Sequence, residues 1–134
     1  MRCAMKRFGV VLAFSAVVAA LGVGSFRARA DGAATCGEKG QPSCPLQGWM
    51  EHNVGDPFDK KDLAKVGASL EKVASMSPDP KWNEGPTGWS KIAKDGAAAA
   101  KAGKEAETGA ACKACHKAWR AKYKKEHRMN PVPG

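Results

Sequence analysis

The sequence predicts an all-α protein, a small antiparallel four-helix bundle, and three observations predict it. From residue 31 onward apolar residues recur at helical spacing, with no alternating strand pattern, no internal repeat and no phosphate-binding glycine loop. Prolines and glycines divide this stretch into four helical windows with short connections, which favours antiparallel neighbours. The last window carries the chain's densest chemistry, Cys112-Lys113-Ala114-Cys115-His116, 18 residues from the C-terminus.

Residues 1–30 stand apart. Arg2, Lys6 and Arg7 precede an apolar run from Phe8 to about Phe26, and Ala28-Arg29-Ala30 then offers an A-x-A cleavage site. This reads as a cleaved export signal, with an uncleaved membrane anchor as the alternative. The domain is then 31–134, with Asp31 its first residue.

In the first window Pro45 suits a first helical position, and Leu46, Trp49, Met50 and Asn53 share one face. Gly55 is expected to end that helix. Asp56-Pro57, a cap followed by proline, is expected to open a second one through about Ser75. Its stripe is Leu63, Val66, Leu70 and Val73, with Lys65 and Lys72 opposite, and Ser77-Pro78-Asp79-Pro80 stops it. The third helix spans roughly Thr87 to Gly103, with Trp89, Ile92 and Ala93 on one face and an alanine run from Ala97 to Ala100. Thr108 is a candidate cap for the fourth helix, and Asn130 to Gly134 reads as a frayed tail.

The motif decides the chemistry. Two thiols three apart followed at once by histidine is the arrangement that attaches a c-type haem. At about 100° per residue, Cys115 lies roughly 60° to one side of Cys112 and His116 roughly 40° to the other, so all three project together. Trp119 and Tyr123 continue that face, while Lys113, Lys117, Lys124 and Arg128 point away. A zinc site needs further soft ligands, and a thioredoxin-like pair belongs beside a strand–helix pattern that this chain lacks. One covalently bound haem c is therefore expected, and its attachment outside the bacterial cytoplasm agrees with the export signal.

Of five cysteines, Cys3 leaves with the signal and Cys112 and Cys115 are taken by haem. Cys36 and Cys44 remain, and an oxidising compartment favours a disulfide over two free thiols. So short a loop contributes roughly 2–3 kcal/mol in the chain-entropy model and pins the glycine-rich start to the first helix. The core is thin, with only 17 large apolar and aromatic residues from Asp31 onward. Haem is thus expected to serve as core as well as cofactor, leaving the apoprotein less ordered.

The formal charge of +9 falls when the five basic residues of 1–30 are removed, leaving 17 Lys and Arg against 13 Asp and Glu. Residues 112–128 hold seven basic groups and one acid; residues 31–111 hold ten and twelve. A basic face beside the haem suits an acidic or membrane-associated redox partner, or is simply a solvated helix face. Nucleic acid is not an expected partner, since the basic residues lie on a helix committed to haem.

Any sixth iron ligand must come from upstream, because Met129 ends the haem helix itself. Among Met50, Met76, His52 and His127, helical geometry favours Met50, which shares the apolar face of Leu46 and Trp49; an ordinary core methionine is the competing reading. Met76 falls far from the second helix's stripe, and His52 points outward.

The stretch CKACHKAWR, with Trp119-Arg120 after the histidine, resembles the class II c-type cytochromes, the cytochrome c′ superfamily. Leu46-Gln47-Gly48-Trp49-Met50 is similar to the first helix of its low-spin branch. The resemblance implies Cys112 and Cys115 as attachment sites, His116 as proximal ligand, Met50 as distal ligand and Trp119 against the haem. It implies a periplasmic, non-enzymatic electron carrier between protein partners, monomeric or homodimeric. The alternative within the superfamily is a five-coordinate protein that binds nitric oxide or carbon monoxide.

Overall fold

Every regular element among the described residues is helical, and no strand occurs among them. The computed structural model describes residues 36–133. The expected export signal and its cleavage site lie outside the described residues.

Helix α1, residues 45–59, is one continuous stretch of three parts: Pro45–Met50 is α-helical, Glu51–Gly55 is a π-helical turn, and Asp56–Asp59 is α-helical again. The expected break at Gly55 is therefore corrected. Gly55 has helical dihedrals, and the Asp56 N–H bonds to the Glu51 carbonyl five residues back. Pro57 has no N–H, and in a tight α-turn its ring presses on the carbonyl four residues earlier; the wider π turn just before it makes the room. The helix ends instead at Lys60 and Lys61, where Lys61 takes the left-handed φ of 60°. Lys61 and Asp62 N–H groups close the end on the carbonyls of Phe58 and Pro57.

Helix α2 then begins at Leu63 and runs to Ala74. Its cap is Asp62, whose side chain accepts from the Lys65 N–H at 3.0 Å. The predicted stripe is buried at Val66, Leu70 and Val73, with Lys65 and Lys72 exposed. Met76 follows the helix end, so the stripe does not govern it. It is 6% exposed, among Leu46, Trp82 and Trp89, which corrects its expected place away from the core.

A 3-10 turn, Pro80–Asn83, seats Trp82 in the core before helix α3, Trp89–Lys101. The expected limits at Thr87 and Gly103 each shrink by two residues. Gly88 has an extended ψ of 142°, and Gly103, at φ +73°, turns the chain after Ala102. Trp89 donates its indole N–H to the Val73 carbonyl at 2.7 Å, tying α3 to the end of α2.

Small residues let these helices approach. A Cβ at Gly67 of α2 meets the Ala97 carbonyl at 3.3 Å and the Ala100 Cβ at 3.5 Å; one at Gly96 meets Leu70 Cδ1 at 3.2 Å and Ala111 Cβ at 3.1 Å. Rising numbers on one helix meet falling numbers on the next, so neighbours run antiparallel. Gly96→Val puts branched bulk against the Ala111 methyl on α4 and the Leu70 side chain on α2, which have little room to yield. It is expected to lower stability by about 1–3 kcal/mol, read as a lower midpoint in urea with unchanged slope.

Helix α4 occupies residues 105–126 as Glu105–Cys115, a π turn His116–Arg120, and Ala121–Glu126. Thr108 is not its cap. The residue is fully buried inside the first turn and its hydroxyl donates to the Lys104 carbonyl at 2.8 Å, the back-bond a helical threonine makes to the preceding turn. The tail is not frayed over its described length either. The Asn130 N–H bonds to the His127 carbonyl, and Val132 packs against the core.

The interior forms two apolar clusters. Leu46, Val73, Met76, Trp82, Trp89 and Ala93 make one, and Val54, Val66, Leu70, Ala97 and Ala100 the other. Half-buried Trp49 and Met50 touch both.

Candidate functional site

Cys112 and Cys115 sit in the last α-turn of α4, and His116 opens the π turn that follows. Both cysteines are half-buried and neither is in a disulfide. Burial pushes the Cys112 thiol up, and burial together with its neighbour Cys112 pushes Cys115 to about 11. These are thiols held protonated by apolar surroundings, the reverse of the depressed values that mark a redox-active pair. Among the described residues no group of three or more His, Cys, Asp and Glu stands ready for a metal ion, so the zinc reading finds no further ligands there. In haem-free protein, alkylation of Cys115 by iodoacetamide is expected to be slow at pH 8 and to rise about tenfold per pH unit toward 11. Partial burial, and secondarily the Arg120 charge, keeps the His116 imidazole neutral to lower pH than usual.

Helix α1 is fastened beside α4 at both ends. At one end Phe58 Cζ lies 3.5 Å from where a Gly109 Cβ would stand, and Lys61 Nζ is 3.5 Å from Glu105 Oε2. Gly109 thus admits the phenyl ring against the backbone of α4. At the other end the Cys36–Cys44 disulfide leads into α1. Cys36 Sγ touches Met129 Sδ at 3.2 Å, and Glu38 Oε1 accepts from Arg128 Nη1 at 2.9 Å.

These contacts set an antiparallel register between α1 and α4. About eight residues before Phe58 is Met50; about eight after Gly109 is Lys117, next to His116. Counted along parallel axes, this register would bring Met50 and His116 to a similar level. Each also adjoins a π turn: Met50 immediately precedes Glu51–Gly55, and His116 begins its own. Such turns recur at functional sites because they redirect side chains within an otherwise regular helix.

The other predicted site residue, Trp119, is half-buried; it stacks on Trp82 with centroids 4.9 Å apart and planes 16° apart, and donates its indole N–H to the Thr87 carbonyl at 3.0 Å. Trp82 is 1% exposed, and its Nε1 is buried without a partner. That N–H is a donor for an acceptor the described chain does not supply. The other ligand candidates are placed differently. The His52 side chain is 81% exposed, 3.6 Å from Asp56. Met76 is already enclosed by core side chains, and His127 lies edge-on to Trp82 at 5.3 Å near the end of α4.

The residues fit a flat, covalently held apolar group. Two half-buried thiols in no disulfide precede His116; half-buried Trp49 and Met50 on α1, and Trp119 and Tyr123 on α4, remain incompletely covered; the buried Trp82 N–H has no partner among the described residues. Sequence reasoning missed the two π turns, the Phe58–Gly109 contact and the Glu38–Arg128 pair. Only Pro57, awkward inside an α-helix, signals any of them. No protein family, no curated protein and no solved structure matches this chain.

Proposed function

We propose that this is an exported, periplasmic monohaem c-type cytochrome that carries single electrons between protein partners, its four helices closed as an antiparallel bundle of the class II kind. The observation that carries the reading is the CKACH run of α4, with its two half-buried, protonated thiols in no disulfide; half-buried Met50 on α1 supports it. Haem c supplies an iron that alternates between ferrous and ferric states.

The chain's own residues supply the rest. Cys112 and Cys115 fix the cofactor through thioether bonds, and His116 binds the iron through a neutral imidazole. Met50 offers a thioether from the opposite helix; a methionine/histidine pair raises the reduction potential and leaves no open position for oxygen. Trp49, Trp119 and Tyr123 would shield a bound cofactor from water.

A visible spectrum of the purified mature protein tests this. Expected are a low-spin spectrum with a sulfur-to-ferric charge-transfer band and haem that stays on the chain after acid denaturation. A high-spin spectrum that responds quickly to carbon monoxide points instead to the five-coordinate gas-binding reading, and absence of covalent haem removes both. Cys112→Ala/Cys115→Ala is expected to lose haem and with it part of the far-UV helical signal, because the half-buried aromatic residues then face water.

A further inference from the structure

We propose that the exposed side of α4 around His116 is the docking surface for an acidic electron-transfer protein; the proposal rests on the cytochrome reading and names the class of its partner. Lys113, Lys117, Arg120 and Lys124 stand three before, one after, four after and eight after His116, which at about 100° per residue places them roughly 40–100° round from it, on the flank next to the face that carries the cysteines. All four, and His116, are exposed. None of the four makes an ion pair among the described residues; of the three remaining cations nearby, Arg128 pairs with Glu38 and Lys122 lies over the Trp82 ring at 4.8 Å, while Lys125 is exposed and makes no ion pair among the described residues either. The one acid of the segment, Glu126, lies 3.9 Å from His127.

Elsewhere among the described residues some lysines are paired and others, such as Lys65, Lys72 and Lys94, are not; what sets this segment apart is that a single acid stands among its cations. Lys91 pairs with Asp95, Lys101 with Glu71 and Lys104 with Glu107. Along α4 the spacings Lys113 to Lys117 and Arg120 to Lys124 put like charges four apart, and Lys117 to Arg120 three apart, each unfavourable to an isolated helix. A surface that only needed solvation would be served as well by interleaved acids. An acidic partner relieves this repulsion and is steered to the part of the molecule where His116 holds the iron.

The residues between the cations separate a protein from a membrane. A basic helix that lies on lipid carries large apolar side chains beside its lysines. Here the intervening exposed positions are Ala114, Ala118 and Ala121, which have nothing to insert.

The test uses a reduced acidic [2Fe–2S] ferredoxin as electron donor to the ferric holoprotein, with binding to the oxidised ferredoxin followed separately by calorimetry. Two variants of equal net charge are compared, Lys117→Glu/Lys124→Glu on α4 and Lys65→Glu/Lys72→Glu on the exposed side of α2. At low salt the α4 variant is expected to react and bind at least about tenfold more weakly, the α2 variant within about twofold of wild type, and the wild-type rate to fall about tenfold on raising salt to roughly 0.3 M. Equal losses in both variants reduce the effect to net charge and overturn the proposal. So does an α4 variant that behaves as wild type, or one whose only loss is binding to phosphatidylglycerol vesicles. Haem content is measured first: a haem-free protein sinks the cytochrome reading, whereas the calorimetric comparison judges the docking surface independently.

Discussion

Met50→Ala is expected to convert the ferric protein from low-spin to high-spin, abolish the sulfur charge-transfer band, lower the reduction potential and admit carbon monoxide to the ferrous form. The chain of cause is short. Half-buried Met50 touches both apolar clusters without being enclosed by either, and under the proposed function its thioether would bind the iron. Its removal deletes a ligand and part of a half-buried side chain, for a stability loss on the order of 1–2 kcal/mol. The informative control is Met76→Leu. Met76 is enclosed among Leu46, Trp82 and Trp89, so a volume-conserving swap should cost under about 1.5 kcal/mol and leave the spectrum alone. A spectrum that changes with Met76→Leu and not with Met50→Ala would refute the assignment.

Removing the disulfide is the second large perturbation. Cys36→Ser/Cys44→Ser is expected to cost about 2–3 kcal/mol, a fall in melting temperature of roughly 10–20 °C for a domain of this size. The loss reaches beyond chain entropy. Cys36 lies against Met129, and the loop it closes holds Glu38 on Arg128, so the strap is what secures the start of α1 to the end of α4. Without it the first turns of α1 can lift, and Met50 lies in the second turn of that helix. In the double serine variant a high-spin component should therefore grow on warming before far-UV helicity is lost; coincident transitions would show that the strap stabilises without positioning. Glu38→Gln, which removes one largely exposed ion pair, should change stability by less than about 1 kcal/mol.

Much of this architecture is legible in the residues, and the misses have local causes. The stripe Val66, Leu70, Val73 reads directly as the buried face of α2, and the spare pair Cys36 and Cys44 reads as the disulfide the structure contains. The junction of α1 and α2 does not, because Asp56-Pro57 has the chemistry of a helix start and only a π turn lets a helix continue through it. Thr108 misleads in the same way. A hydroxyl that caps well also bonds well to the carbonyl four residues back, and the local sequence does not say which. Met76 and Val132 are buried by tertiary contacts beyond any helix end, where periodicity carries no information. The CKACH spacing is plain in the residues, but the fastening of α1 to α4 depends on the Phe58 ring meeting Gly109 some fifty residues away, a contact no local pattern encodes.

The fastening of α1 to α4 at both ends has a kinetic meaning under the proposed function. A cleft joined only at one end is a hinge, and its ligands drift as the charge on the metal changes. Joined by Phe58 on Gly109 and Lys61 on Glu105 below, and by the disulfide loop on Arg128 and Met129 above, this one has no axis about which to gape. If both bind the iron, as proposed, His116 and Met50 would be held at nearly one separation in both oxidation states. Little nuclear rearrangement has to accompany each electron, so mechanical stiffness in the scaffold becomes speed in the transfer.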